Sequence, residues 1–247
     1  MQKVDEYMPR FFSELCDEHY CYIVGSDASH IAKSLRMQIG EELTVCDQKG
    51  TDYKCAIENI DVNEIKLKVL SKTATLTEPN VKLTLYMALP KSDKMELIVQ
   101  KCVELGISQI VPIMTSRCIS RPDDKSLQKK VERYQKIAYE AAKQSGRGII
   151  PMVCNKMSFK EALKSASEDD VSMIFYENGG SDIKSFLNGC AKTISIFIGA
   201  EGGFDPSEIA LAKEAGVLPS TLGPRILRCE TAPITATSII MYLTNNM

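Results

Sequence analysis

Tryptophan is absent from the 247 residues, aromatics make up only 6%, and histidine occurs twice, at His19 and His30. With so few histidines and no C-x-x-C pair, metal-ligand spacing is missing, and no structural or catalytic metal is expected. The nine cysteines (Cys16, Cys21, Cys46, Cys55, Cys102, Cys118, Cys154, Cys190 and Cys229) are odd in number and dispersed. A disulfide framework is therefore not expected, and a reducing cytoplasm fits best. No apolar run approaches the ~20 residues that span a bilayer. The opening MQKVDEYMPRFF carries acids and lacks the apolar core of a signal peptide. A basic field is missing too. Thirty Lys and Arg against 32 Asp and Glu leave a net charge of −2, so any contact with nucleic acid has to come from a local patch. Neither G-x-x-x-x-G-K-[ST] nor G-x-G-x-x-G occurs, which excludes P-loop enzymes and argues against the common Rossmann-type folds.

The chain is rich enough in apolar residues, at 44%, to build a sizeable core. Its first third reads as β. Runs at 20–24 (YCYIV), 43–46 (LTVC), 53–57 (YKCAI) and 65–70 (IKLKVL) are short and rich in strand formers. The last alternates, with Ile65, Leu67 and Val69 on one face and Lys66 and Lys68 on the other. Gln48-Lys49-Gly50 suits a hairpin turn, and one short helix is predicted over Ser29–Met37. The pattern suggests a small barrel. Residues 71–80 (SKTATLTEPN) have no periodicity and read as a linker.

From residue 81 strands and helices alternate. VKLTLYMAL reads as a buried strand. Ser92 is predicted to cap a helix with Met95, Ile98, Val99, Cys102 and Val103 on one face, stopped by Gly106. SQIVPIM is a strand, followed by a helix over about 125–144 whose inward positions are Leu127, Val131, Tyr134, Ala138 and Ala141. VSMIFYE and TISIFIG are strands. Asp205-Pro206-Ser207-Glu208 combines an acidic cap, proline in the first turn and a capping box, opening a helix that ends near Gly216. VLPSTLG returns as a strand, and a helix over about 231–243 closes the chain. Such alternation implies a parallel sheet covered by helices on both faces.

Two segments carry chemistry. FIGAEGGF (197–204) places three glycines and an acid between an apolar strand and a capped helix, where open α/β sheets bind ligands. Its glycines permit close backbone approach, although a ligand-free turn would look the same. LGPRILRCETAPITATS (222–238) sets Arg225, Arg228 and Glu230 among apolar residues ahead of the final helix. Solvated surface charges are the plain alternative there.

Together these two loops resemble the SPOUT class of methyltransferases, and more narrowly the RsmE family, which methylates N3 of a uridine in small-subunit (16S) ribosomal RNA. The resemblance covers nearly the whole chain. MPRFF (8–12) looks like that family's opening and HIAKSLRMQIGEEL, from His30, like its N-terminal PUA-like domain. KSDKMELIVQKCVELGISQIVPI, from Lys91, and RYQKIAYEAAKQSGR, from Arg133, are similar to its central region. Two positions depart: Ala200 stands where the family usually has Pro, and Cys229 where it usually has Thr.

The resemblance implies an α/β SPOUT domain with a parallel sheet and a deep trefoil knot, preceded by a PUA-like β-barrel. Residues 1–72 would be the RNA-binding domain, 73–80 a linker and 81–247 the catalytic domain. The implied cofactor is S-adenosylmethionine, lined by Tyr176, Ile198, Gly199, Glu201, Gly202, Leu222, Gly223, Leu227 and Cys229. Arg228 would stabilise charge on the uracil, and Glu201 or Glu230 would take the N3 proton, although Glu201 could instead only fix its own loop. The candidate RNA contacts are Arg10, His30, Lys33 and Arg36 in the first domain, with Lys91, Lys94, Arg117, Arg121 and Arg147 in the second. The class works as a homodimer through the knot, and Ile234, Ile239, Ile240, Met241 and Leu243 give the last helix an apolar face for that. Other readings stay open: a SPOUT enzyme for transfer RNA, an RNA-binding ribosome-assembly factor without catalysis, or an α/β enzyme for another nucleotide-like ligand.

Overall fold

The computed structural model describes residues 8–61, 63–187 and 189–247, so the first seven residues of the opening segment lie outside it. The chain forms two compact units. One comprises residues up to Glu78 together with Ala142–Ile150, and the other Pro79–Ala141 with Pro151–Met247.

The first unit holds a five-stranded sheet of β1 (Arg10–Phe12), β2 (Tyr20–Val24), β3 (Glu42–Cys46), β4 (Thr51–Ile60) and β5 (Glu64–Ala74), in the order β1-β3-β4-β5-β2. β1 runs parallel to β3 and the remaining pairs are antiparallel. The alternation of β5 does what its pattern requires: Ile65 and Leu67 are buried beside Ile23, Leu43, Val45 and Ile57. The Asp47 carboxylate accepts N–H bonds from Lys49 and Thr51. Gln48 and Gly50 take positive φ, closing the β3–β4 hairpin. β5 continues to Ala74, so residues 71–74, read from sequence as linker, are strand. Ser71–Ala74 pair with Lys54–Thr51. These residues are exposed, and backbone pairing holds them without any burial pattern that a sequence could show. The helical segment also begins earlier than Ser29. α1 (Ser26–Ser29) continues into a π-helical stretch, His30–Leu35, and ends at Arg36 in the left-handed region.

The second unit is built on parallel strands: β6 (Lys82–Ala88), β7 (Gln109–Met114), β8 (Met152–Val153), β9 (Met157–Ser158), β10 (Val171–Phe175), β11 (Ser181–Asp182), β12 (Thr193–Ile198) and β13 (Leu218–Thr221). The order is β11-β13-β10-β12-β6-β7-β8, with β9 also pairing β7. The helices are α2 (Lys94–Glu104), α3 (Asp124–Gln144), whose last turn from Ala142 belongs to the first unit, α4 (Phe159–Ala166), α5 (Pro206–Glu214) and α6 (Thr231–Leu243). α2 buries the five residues its spacing marked, Met95, Ile98, Val99, Cys102 and Val103. Ser92 does not cap it. Ser92 lies at φ 57 and Asp93 occupies the cap position without a side-chain hydrogen bond. The α5 capping box forms as its sequence dictates, Asp205 accepting from Ser207 N–H and Glu208 from Asp205 N–H. In the middle of the sheet Phe197 stacks on Tyr86 at 4.5 Å and meets Phe159 edge-on at 6.0 Å. These rings fill the core directly beneath the Gly-rich loop. Among the described residues no helix is long and apolar enough to cross a membrane.

Candidate active site at the carboxyl ends of the strands

β6, β10, β12 and β13 all run in one direction, so the loops that leave them gather at one edge of the sheet. There they enclose a cavity of about 640 Å³, within the range of roughly 300–1,000 Å³ typical of small-molecule sites. The wall from β10 is Phe175, Tyr176 and Glu177, and the wall from β12 is Ile198–Glu201 with Gly203. Residues 221–229 after β13, with Lys94 and Ala232, complete it. The structure thus brings Tyr176, Ile198, Gly199, Glu201, Leu222, Gly223, Leu227, Arg228 and Cys229 around one space. Gly202 is not on the wall. Its carbonyl accepts a bond from Arg117 Nη1 at 3.0 Å, and Arg117 also pairs with Asp205 at 3.3 Å, so Gly202 faces that arginine.

The Gly-rich loop needs its glycines for space. A Cβ on Gly199 would lie 2.9 Å from Gly203 Cα, and one on Gly203, at φ 64, would lie 2.9 Å from the Glu177 carboxylate. The loop folds tightly on itself, with Gly203 N–H donating to the Ala200 carbonyl at 3.0 Å. That narrow turn leaves room on the cavity side.

Lys94 lies at the centre of the polar groups. Its Nζ donates to Glu201 Oε1 at 2.8 Å and approaches Glu230 Oε2 at 3.4 Å and Cys229 Sγ at 3.5 Å. Glu201 also accepts from the Lys91 backbone N–H at 3.2 Å, just ahead of α2. Burial opposes ionisation of Glu201, but the bonds from Lys94 and from backbone N–H outweigh it and hold the carboxyl below its ordinary 4.5. Backbone N–H bonding leads in lowering Glu230, aided by Cys229 and Lys94. Glu201 foremost raises Lys94 above its ordinary 10.5. Burial, then the Glu230 bond, pushes the Cys229 thiol up to about 12.

The signs of these shifts set a pH window. A depressed carboxyl stabilises the fold above 4.5 and loses that effect as pH falls through its folded value. A raised ammonium contributes below 10.5 and loses it above. The difference in Tm between the chain and a Glu201→Gln variant should therefore be constant from about pH 5 to 9 and shrink below about pH 4, as the carboxyl takes up its proton. A difference that widens on acidification would contradict the pairing.

Lys94, Arg10 and Arg147, three of the expected RNA contacts, have partners within the fold. Lys94, read as an RNA contact, belongs to the cavity. Sequence also missed Glu177 on the opposite wall. The signal available for both was position: each follows a strand of the parallel sheet within a few residues of its carboxyl end. Arg10 and Arg147, also read as RNA contacts, are committed inside the first unit. Arg10 forks onto Asp52 and donates to the Arg147 carbonyl, and Arg147 pairs with Glu78 with only 4% of its side chain exposed. His30, Lys33 and Arg36 are exposed on the first unit, and Lys91, Arg117 and Arg121 on the second. Arg225 and Arg228 are exposed at the cavity, with no side-chain partner among the described residues. A smaller cavity of about 380 Å³ lies at the amino ends of β10 and β13. Its acids are already engaged: Asp169 by the Ser195 hydroxyl, and Asp170 by the backbone N–H groups of Lys192 and Thr193.

Comparison with known proteins places this architecture. Residues 77–241 match the family model for an RNA methyltransferase domain, and residues 23–70 that for an RNA methyltransferase PUA domain. The ribosomal RNA small subunit methyltransferase E of Bacillus subtilis is 34% identical, over 96% of this chain and 97% of its own length. The corresponding enzyme of Neisseria gonorrhoeae, solved with S-adenosylmethionine bound, superposes with a TM-score of 0.87 at 29% identity, covering 96% of this chain and 98% of that one. A methyltransferase from Legionella pneumophila, in complex with the same cofactor, gives a TM-score of 0.86 at 28% identity, covering 95% and 97%.

Proposed function

The chain belongs to the ribosomal RNA small subunit methyltransferase E family, and from that premise we propose that it methylates N3 of a uridine in the 16S RNA of the small ribosomal subunit. The family makes it an S-adenosylmethionine-dependent RNA methyltransferase. The observation that carries the reading to these residues is the glycine-lined cavity at the carboxyl ends of β10, β12 and β13. Its wall at Gly199 and Gly203 has no room for a Cβ, and its backbone groups suit an adenine edge. Bound there, S-adenosylmethionine supplies a methyl group on a sulfonium.

The chain's own residues do the positioning, which is most of what a methyl transfer needs. N3 attacks the methyl carbon, the carbon–sulfur bond breaks with its electron pair left on sulfur, and the N3 proton leaves to water. Arg228, unpaired at the cavity wall, stabilises the negative charge that spreads to the uracil carbonyl oxygens. Glu201 and Glu230 are poor bases while Lys94 and backbone N–H groups hold their carboxylates ionised. Glu201 fixes its loop through the Lys94 ammonium and the Lys91 N–H. His30, Lys33 and Arg36 on the first unit, and Lys91 on the second, are exposed and available for phosphate, whereas Arg117 and Arg121 are held by Gly202, Asp205, Cys118 and Ser116. The family also implies the trefoil knot and a homodimer around it. Ile226, 86% exposed, and Tyr242, 72% exposed on α6, are apolar surface that a second copy would cover. The cytoplasm, where ribosomal subunits are found, is the expected location.

The test incubates the protein with labelled S-adenosylmethionine and small subunits from a strain lacking the gene, and identifies the product nucleoside by mass spectrometry. Appearance of 3-methyluridine supports the reading. A folded protein that binds the cofactor but leaves the subunit unmodified points to another RNA, such as transfer RNA. Absence of cofactor binding points to an assembly factor.

A further inference from the structure

We infer that Lys94 is a positioning residue that ties the two cofactor loops together and so keeps the cavity formed before the cofactor arrives. The inference rests on the methyltransferase reading above and adds a residue to its machinery. Lys94 stands at the first position of α2, a rigid element whose buried face is packed with Met95, Ile98 and Val99. From that fixed base its ammonium reaches Glu201 of the loop after β12, and Glu230 and Cys229 of the loop after β13. The two loops are 29 residues apart at these glutamates, 201 and 230. Lys91 N–H on Glu201 adds a second tie between the same loop and the start of α2.

Three further observations support a tie rather than a proton carrier. One ammonium faces two carboxylates, so its charge is fully engaged. Its side chain is only 31% exposed, so the contact is partly shielded from solvent. Arg225, Arg228 and Ile226 on the second loop are exposed, so the loop end that carries the reactive arginine is anchored mainly at Cys229 and Glu230. Loops left loose would have to be ordered by the ligand, at a cost in affinity.

The experiment measures cofactor binding by calorimetry, and steady-state kinetics on small subunits, for the wild-type chain, Lys94→Met, Lys94→Arg, Glu230→Gln and the double variant Lys94→Met/Glu201→Gln. For Lys94→Met the Kd and KM for S-adenosylmethionine should rise about tenfold, with kcat at saturation within about threefold of wild type. Arginine, which keeps the charge and reach, should restore most of the affinity. The double variant should bind no worse than Lys94→Met alone, because the interaction is already lost. Glu230→Gln removes one arm while leaving the ammonium in place, and should raise the Kd by a smaller factor. That arm reads the tie even if Lys94→Met loses its fold. Equal affinities across the set, with the wild type binding normally, overturn the inference, as does a fall in kcat alone. A rise only in the KM for the subunit would return Lys94 to RNA contact. A wild-type chain that binds no cofactor overturns the functional reading instead.

Discussion

Replacing Arg228 by alanine should lower methyl transfer about 10²- to 10³-fold, the cost of removing one preorganised donor from a developing oxyanion. Cofactor affinity and fold should change little. Of the basic side chains that line the cavity, Lys94 is already engaged, which leaves Arg228 and Arg225. Lys94 is bound between Glu201 and Glu230, and Arg117 is bound to the Gly202 carbonyl and Asp205. Arg228 lies on the wall with its guanidinium uncommitted. It is exposed, so its loss leaves no buried carboxylate without a partner and should not cost stability. Single-turnover transfer at saturating cofactor and subunit measures the effect. A variant with an unchanged rate constant but weaker RNA binding would make Arg228 a phosphate contact. Arg225, three residues earlier, is the natural control, since it is equally exposed and its removal is expected to act on RNA affinity.

The second large effect is expected from a single methyl group. Gly199→Ala places a Cβ 2.9 Å from Gly203 Cα and 3.0 Å from its carbonyl carbon. Backbone cannot rotate aside as a side chain can, so one limb of the turn has to move. Overpacking of this kind costs about 1–3 kcal/mol, and the displaced limb is the cavity wall. Affinity for S-adenosylmethionine should fall by about tenfold to a hundredfold, measured by calorimetry, while far-UV circular dichroism stays the same. Ala200 next to it is a useful contrast. Its side chain is already buried, and proline, the residue that the family resemblance expects there, should leave affinity nearly unaltered. Unchanged binding by Gly199→Ala would mean that this turn does not shape the cofactor site.

Much of this arrangement could be read from the residues. Period-2 alternation at Ile65 and Leu67, helical spacing at Met95–Val103 and the Asp205 capping box each state their structure locally, and each forms. The Gly-rich loop was legible as a tight turn, because glycines between a strand and a capped helix permit close backbone approach, and the turn forms. Long-range partners left no such local trace. Nothing near Lys94 in the chain shows that Glu201 and Glu230, more than a hundred residues away, would meet it. In isolation it looked like one more surface lysine. Arg10 and Arg147 are the opposite case. Their charge suggested solvent and phosphate, but Asp52 and Glu78 satisfy them inside the first unit. Strand continuation through residues 71–74 was hidden because backbone pairing at an exposed strand is indifferent to side-chain pattern. The knot and the homodimer are expectations that rest on the family alone.

The composition of the first unit has a bearing on how the chain can be dissected. Its sheet comes from residues before Glu78, yet the segment 142–150 is part of the same body. That segment gives Glu78 its arginine, Cys46 a carbonyl acceptor at Gly148 and Arg10 the carbonyl of Arg147. A cut after Glu78 would release a fragment whose Glu78 carboxylate has lost its arginine and whose Arg10 keeps Asp52 but loses a carbonyl acceptor, although every strand of its sheet is present. The first unit is therefore not a bead on a string that evolution or an experimenter can detach. Genetically it is a host with the front of the catalytic half inserted into it, and only a fragment that splices 142–150 back onto 1–78 would be a fair test of that unit alone.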